Sequence, residues 1–188
     1  MEINNLEKML NEIRTIENPV DKKERIKKDI TKCKIGDVIS IKDECFKIME
    51  RNKYQESSWQ WFEYKLYSLK DGRTLFLEWE IDDEVELTLY YATPTLKETG
   101  LTPEMLKKFD DDEEGSFLWN SKTMIYEESD KALFFRGENT KGEAFYYWDF
   151  EDDSESMFFS VEKWDDGYEV FIGKEIEAST INILAQKA

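Results

Sequence analysis

The stretch from residue 59 to residue 91 constrains the fold more than any other part of the chain. Its first third is rich in aromatic residues, which suit a pleated, half-buried surface. Asp71-Gly72 then gives a hairpin turn signal, and a second, acidic turn follows at 82–84. The stretch therefore predicts a three-stranded antiparallel meander.

Two of these predicted strands, 73–81 and 85–91, alternate between apolar and polar residues with period two. Such alternation places the apolar residues on one face of the sheet and the polar residues on the other. The apolar face is expected to be core, and acids on the opposite face are expected to meet solvent. Placement within strand-like runs predicts these core residues: Leu77, Trp79, Val85, Leu87, Trp148, Phe159 and Val170.

A second series of strand-like runs spans residues 116–176, and the sequence at 157–170 resembles that at 75–87 once one insertion is allowed. In this alignment Glu80 corresponds to Glu162. The similarity indicates either an internal duplication or two acidic hairpins of similar composition. We therefore predict a mainly β (α+β) chain with two antiparallel meanders, 35–92 and 116–176, arranged as a sandwich, as a barrel or as two lobes.

Two amphipathic helices are predicted before the β region, over residues 3–17 and 21–33, which gives a helical segment 1–34 and a β domain 35–188. The second helix is basic, with a thin apolar stripe of Ile26, Ile30 and Cys33. We expect this stripe to pack on the β domain; docking on a membrane surface or a partner is the alternative. A further short helix should begin at Pro103.

The composition excludes several kinds of chemistry. The chain has 43 acidic and 26 basic residues, a net charge of −17 and no histidine. Histidine-dependent nucleophile pairs and histidine metal sites are therefore impossible, and the negative field disfavours nucleic acid. The acidic run at 110–115 resembles the start of a calcium loop, but its twelfth position is Ser121 where a bidentate glutamate is needed. We predict no metal and no cofactor.

The sequence also indicates a compartment. It contains no apolar run of 18 residues, and its first residues lack the basic and apolar segments of a secretory signal. Cys33 and Cys45 have neither metal nor redox spacing, so reduced thiols are expected. We predict a cytoplasmic protein without a transmembrane segment.

The order of several short motifs resembles an uncharacterised prokaryotic family that is catalogued only as a domain of unknown function. The motifs are Ile35-Gly36-Asp37-Val38-Ile39, Trp61-Phe62-Glu63-Tyr64-Lys65-Leu66, Gly72, Leu77-Glu78, Ser160-Val161-Glu162, Gly167 and Gly173, so the similarity spans about residues 34–176. Members of that family are often encoded near phage-shock-type membrane-stress genes and spermidine-synthase-like genes. The resemblance implies an accessory role and supplies no catalytic residues.

Three functions remain open from the sequence. The first is a non-enzymatic acidic interaction module whose partner is a basic protein or an exposed apolar patch. The second is a binder of a small cationic ligand such as a polyamine, because carboxylates and aromatic faces both attract cations. The candidate binding residues are Trp59, Trp61, Glu63, Trp164, Asp165 and Asp166. The third is a carboxylate-based hydrolase that uses Glu63, Glu78 or Glu80.

Overall fold

The structure is a computed structural model that describes residues 23, 29–81, 85–154 and 156–186. Strands dominate this part of the chain, which confirms the mainly β prediction. The strands are β1 (Val38–Ile41), β2 (Glu44–Glu56), β3 (Trp59–Ser68), β4 (Thr74–Ile81), β5 (Val85–Ala92), β6 (Ser116–Trp119), β7 (Lys122–Phe135), β8 (Glu143–Asp152), β9 (Phe158–Trp164), β10 (Gly167–Glu175) and β11 (Ile181–Ala185). Two α-helices, α1 (Leu96–Thr99) and α2 (Pro103–Asp112), connect β5 to β6.

All eleven strands form one antiparallel sheet in the order β11-β1-β2-β3-β4-β5-β10-β9-β8-β7-β6, with an additional pairing of β2 with β7. That pairing joins Tyr54 to Phe134 and closes eight of the strands, β2–β5 and β7–β10, into a ring. Strands β3–β5 lie within the predicted meander 35–92, and strands β8–β10 lie within the predicted meander 116–176. We call β3–β5 the first meander and β8–β10 the second; they form opposite sides of the ring, and β5 pairs with β10 between them. A closed ring of eight strands has an interior that side chains or one small ligand can fill.

Aromatic contacts identify the face that points into the ring. Trp61 on β3 contacts Tyr147 on β8, with ring centroids 6.4 Å apart, although these strands are not neighbours in the sheet. Tyr54 on β2 likewise contacts Phe145 on β8. Because side chains alternate along a strand, Phe62, Tyr64 and their apolar partners lie on the outer face.

Two apolar cores cover the outer faces of the two meanders. The first joins β3–β5 to β1, β11 and a short 3₁₀ turn at Ile30–Lys32. The second joins β8–β10 to α1, α2, β6 and β7. The predicted core is confirmed, since Leu77, Trp79, Leu87, Trp148, Phe159 and Val170 are buried in these cores, with Val85 partly buried against the first.

The prediction of two N-terminal helices is not borne out, since the described α-helices lie at 96–112. The helix predicted over 3–17 lies outside the described residues, as does Ile26. The end of the helix predicted over 21–33 is instead a single 3₁₀ turn, which the Asp29 carboxylate closes by accepting from the Thr31 backbone N–H at 2.9 Å. Ile30 and Cys33 are nevertheless buried in the first core, as the apolar stripe predicts.

The helix predicted to begin at Pro103 is confirmed. Helix α2 begins at Pro103, with Thr102 as its N-cap and with Leu106 and Phe109 buried. The segment after residue 178 forms a final strand, β11, paired with β1. None of the helices in the described residues has the length and apolar character that crossing a membrane requires.

Candidate functional site

The inward faces of the ring line a cavity of about 620 Å³ that is open to solvent on one part of its surface, and we call this cavity the lumen. Ten acidic residues line it: Glu56, Glu78, Glu80, Glu86, Glu127, Glu128, Asp149, Glu151, Glu162 and Glu175. The lining of the lumen, as far as the chain is described, includes no lysine and no arginine. The alternation predicts that the polar faces meet solvent, and in the structure they line an acidic cavity. This cavity is partly open to solvent, since four of its acids are exposed: Glu86, Glu127, Glu128 and Glu175.

Four carboxylates on this face are poorly solvated. Glu63 and Glu162 are only 6% and 8% exposed, and Glu78 and Asp149 are half-buried. Within the described residues, none of the four forms an ion pair with a lysine or an arginine. Charges buried without a counter-ion are costly, so these carboxylates favour either protonation or the arrival of a cation.

The pKa values of these four carboxyl groups are raised by their burial. Loss of solvation raises the pKa of Glu63 to about 7, against the hydrogen bonds from Asn52 and Tyr54 that lower it. Burial also raises the pKa of Asp149 to about 7. The pKa values of Glu78 and Glu162 are raised well above 4.5 by burial first and by neighbouring carboxylates second.

Repulsion between carboxylates links the two sides of the ring. Among the carboxylates that raise the pKa of Glu78 on β4, the strongest contribution comes from Asp149 on β8. Among those that raise the pKa of Glu162 on β9, the strongest comes from Glu63 on β3. The buried carboxylates of the two meanders therefore raise one another's pKa values.

Specific hydrogen bonds orient the buried carboxylates. The Asn52 amide donates to Glu63 Oε1 at 2.9 Å, and the Tyr54 hydroxyl donates to Glu63 Oε2 at 3.3 Å. Trp164 Nε1 donates to Glu162 Oε2 at 3.0 Å. In the described part of the chain, Glu162 Oε1 accepts no hydrogen bond, and Asp149 Oδ1 is buried without a partner. Both oxygens have acceptor capacity that the protein leaves unused.

Aromatic rings form the rest of the wall. Trp61 stacks on Tyr54, with centroids 5.3 Å apart and planes 7° apart. Tyr147, at the edge of Trp61, donates its hydroxyl to Glu56 Oε2 at 2.5 Å. Trp59 is 45% exposed and donates its indole N–H to Glu80 Oε2 at 2.9 Å. The lumen thus combines negative charge with the π-faces that attract organic cations.

The residues predicted as a binding site are only partly brought together. Trp59 and Trp61 line the lumen. Glu63 shares the inward face of β3 with Trp61 but does not itself line the cavity, and Trp164 orients Glu162 from the side. Asp165 and Asp166 are exposed in the turn after β9, and Asp165 lines a different cleft, with Tyr168.

Sequence reasoning did not select Asp149, Glu162 or Tyr147 as site residues. The signal was present, since each occupies a polar or aromatic position that alternates with the core residues Trp148, Phe150 or Val161. The pattern by itself does not show whether such a face meets solvent or lines a cavity.

The lumen is not built like a metal site. The described residues contain no group of three or more acidic or cysteine side chains placed to hold one metal ion. The acidic run at 110–115 has other roles: Asp110 accepts from the hydroxyls of Ser129 and Tyr146, and Asp111 pairs with Lys107. The carboxylates of the lumen are instead spread along its wall.

Comparison with known proteins supplies a family but no activity. No curated protein and no solved structure matches the chain. A model of a family described as a domain of unknown function, DUF4178, matches residues 34–178. This match covers every strand of the closed ring and therefore the whole lumen. The chain belongs to the DUF4178 family.

Proposed function

We propose that the protein binds a small organic cation inside the acidic lumen. One observation carries the proposal: Glu162 is more than nine-tenths buried, lines the cavity and leaves Oε1 without a partner in the described residues. An ammonium group donates hydrogen bonds and supplies the missing positive charge, so its arrival satisfies both needs of this carboxylate.

The chemistry of the wall favours an organic cation over an inorganic one. Trp61, Tyr147 and Phe145 line the lumen among its carboxylates and provide apolar area for carbon groups. A cation over an aromatic face gains about 0.5–2 kcal/mol, and more when it is desolvated. A polyamine, named from the sequence as one such ligand, has both the charge and the carbon chain that this wall suits.

The other two functions expected from the sequence stay predictions. An interaction module needs an acidic outer surface, and the acids at the mouth of the lumen, such as Glu80 and Glu86, would serve it too. A hydrolase needs two carboxylates at a reacting bond, and Glu63 and Glu78 are cross-strand neighbours. The acidic, aromatic cavity supports ligand binding more directly than either alternative.

Titration of the full chain with n-butylammonium chloride at pH 7.5 and low salt tests the proposal. We expect saturable binding. The change in tryptophan fluorescence should report it, because Trp59 and Trp61 line the lumen. We expect 1-butanol, which matches the carbon chain but has no charge, to bind at least tenfold more weakly. The double variant Asp149→Asn/Glu162→Gln should lose at least tenfold in affinity for n-butylammonium.

The matched control is Asp166→Asn/Glu138→Gln, which removes the same two charges from exposed positions outside the lumen. Its affinity should stay within twofold of the parent. Equal binding of butanol and butylammonium, or equal losses in the two double variants, would contradict a cation site in the lumen.

A further inference from the structure

We infer that the protein has a second binding site, which takes a small organic carboxylate with an apolar chain. The site is a cleft of about 490 Å³ on the outer side of the ring, and we call it the basic cleft. Of the described residues, four basic and two acidic ones line it, a net charge of +2: Lys42, Lys70, Arg73, Lys174, Asp43 and Glu44. The charge of the cleft is thus opposite in sign to the net charge of −17 of the whole chain.

Three segments that are far apart in the sequence bring these basic side chains together. Lys42 lies in the turn between β1 and β2, and Lys70 and Arg73 lie in the connection between β3 and β4. Lys174 lies on β10, where it is the cross-strand partner of Leu89 on β5. The positive charge of the cleft is therefore a product of the fold and not of one basic run in the sequence.

Most of this positive charge is available to a ligand. Among the described residues, Lys42, Lys70 and Lys174 are exposed and form no ion pair with a carboxylate. Arg73 pairs with Glu44, so these two residues together add no net charge. Hydrogen bonds from an ammonium group to a carboxylate are stronger than those between neutral groups. An organic carboxylate that enters the cleft can accept such bonds.

The floor of the basic cleft is apolar. It is formed by buried residues of the first core: Ile41, Phe46, Leu75, Leu89 and Ile176. Tyr91, which is 42% exposed, also lines the cleft, and Lys174 Nζ lies 5.9 Å from the centre of its ring. Carbon groups of a ligand are stabilised when such a floor removes them from water. A carboxylate on an apolar chain contacts both the floor and the lysines, whereas an inorganic anion leaves the floor unused.

The basic cleft is separate from the lumen. Among the described residues, none lines both cavities. On β5, Leu89 and Tyr91 line the cleft, whereas Thr88 and Tyr90 line the lumen, because successive side chains of a strand point to opposite faces. The two sites also differ in the sign of their charge. The inference therefore does not depend on the proposed function, and either can fail while the other stands.

Titration of the full chain with sodium hexanoate at pH 7.5 and low salt tests the inference, with backbone amide chemical shifts as the measurement. We expect saturable shifts at residues 70–73 and 174–176, which surround the cleft. Hexanamide has the same carbon chain without the charge, and acetate has the charge without the chain. Each should bind at least tenfold more weakly than hexanoate.

The double variant Lys70→Gln/Lys174→Gln should lose at least fivefold in affinity for hexanoate. Both residues are exposed, so the variant should keep the fold, which its amide spectrum will show. The matched control is Lys97→Gln/Lys141→Gln, which removes the same two charges from exposed positions outside the cleft. Its affinity should stay within twofold of the parent.

Several results would overturn the inference. Hexanamide that binds as tightly as hexanoate would show that the lysines do not recognise the charge, and acetate that does so would show that the floor is unused. Equal losses in the two double variants would assign the effect to net charge alone. Shifts confined to residues of the lumen, or no saturable binding of hexanoate, would show that the basic cleft is not a carboxylate site.

Discussion

Glu63→Gln should make the protein more stable than the parent at pH 8 and equally stable below pH 4.5. The folded protein keeps the Glu63 proton to about pH 7, whereas the unfolded chain releases it near 4.5. The folded state therefore binds more protons between these values, and its free energy of unfolding falls as the pH rises through them. A pKa difference of this size corresponds to roughly 2–3 kcal/mol between pH 5 and pH 8.

Glutamine preserves the local contacts, so the comparison isolates the charge. Its carbonyl oxygen can accept from the Asn52 amide, and its amide nitrogen can donate to the Tyr54 hydroxyl. Removing the charge also weakens the repulsion on Glu162 and Glu78, which adds to the gain. Urea unfolding at pH 4.5, 5, 6, 7 and 8 measures the effect, with exposed Glu138→Gln as the control. If the free energies of unfolding of parent and variant change with pH in the same way, Glu63 ionises normally in the folded protein.

Leu87→Ala should lower the free energy of unfolding by about 2–5 kcal/mol, the range for removing a large side chain from a packed core. Leu87 is 1% exposed and lies opposite Trp79 in the outer core of the first meander. The loss has two parts: the hydrophobic free energy of the buried carbons that are removed, and the cost of the cavity that they leave. Urea unfolding at pH 5, where the lumen carboxylates contribute least, gives the cleanest measurement.

Ile81→Ala is the matched control, since Ile81 is on β4 and 56% exposed. It should change stability by less than about 0.5 kcal/mol, as surface substitutions usually do. If the two variants unfold at the same urea concentration, Leu87 does not belong to the core.

The strands and their faces were predictable because both depend on local pattern. Period-two alternation separated Leu77 from Glu78 correctly, and Asp71-Gly72 marked the turn between β3 and β4. The direction of each face was not predictable from the same pattern. Whether Glu78 meets solvent or a lumen depends on ring closure, which the pairing of Tyr54 with Phe134 provides. That pairing joins segments that are far apart in the sequence, so no local sequence pattern indicates it.

The site was predictable to the extent that aromatic and acidic residues alternate on one strand. Trp59, Trp61 and Glu63 satisfy that pattern on β3 and lie at or beside the lumen. Asp165 and Asp166 satisfy it only because they follow Trp164, and the turn after β9 carries them away from the cavity. Whether the two meanders arose by duplication stays a prediction, although Glu80 and Glu162 both line the lumen, as their alignment implies.

The pH dependence of n-butylammonium affinity tests the central claim, that carboxylates of the lumen exchange a proton for a cation. The amine stays protonated up to about pH 9, so only the protein titrates between pH 5.5 and 8.5. Because Asp149 has a pKa of about 7 and that of Glu162 is also raised, the account predicts affinity that rises at least tenfold across this range. Asp149→Asn/Glu162→Gln should remove most of that rise. Affinity that is constant with pH, or that falls as the pH rises, would contradict the account.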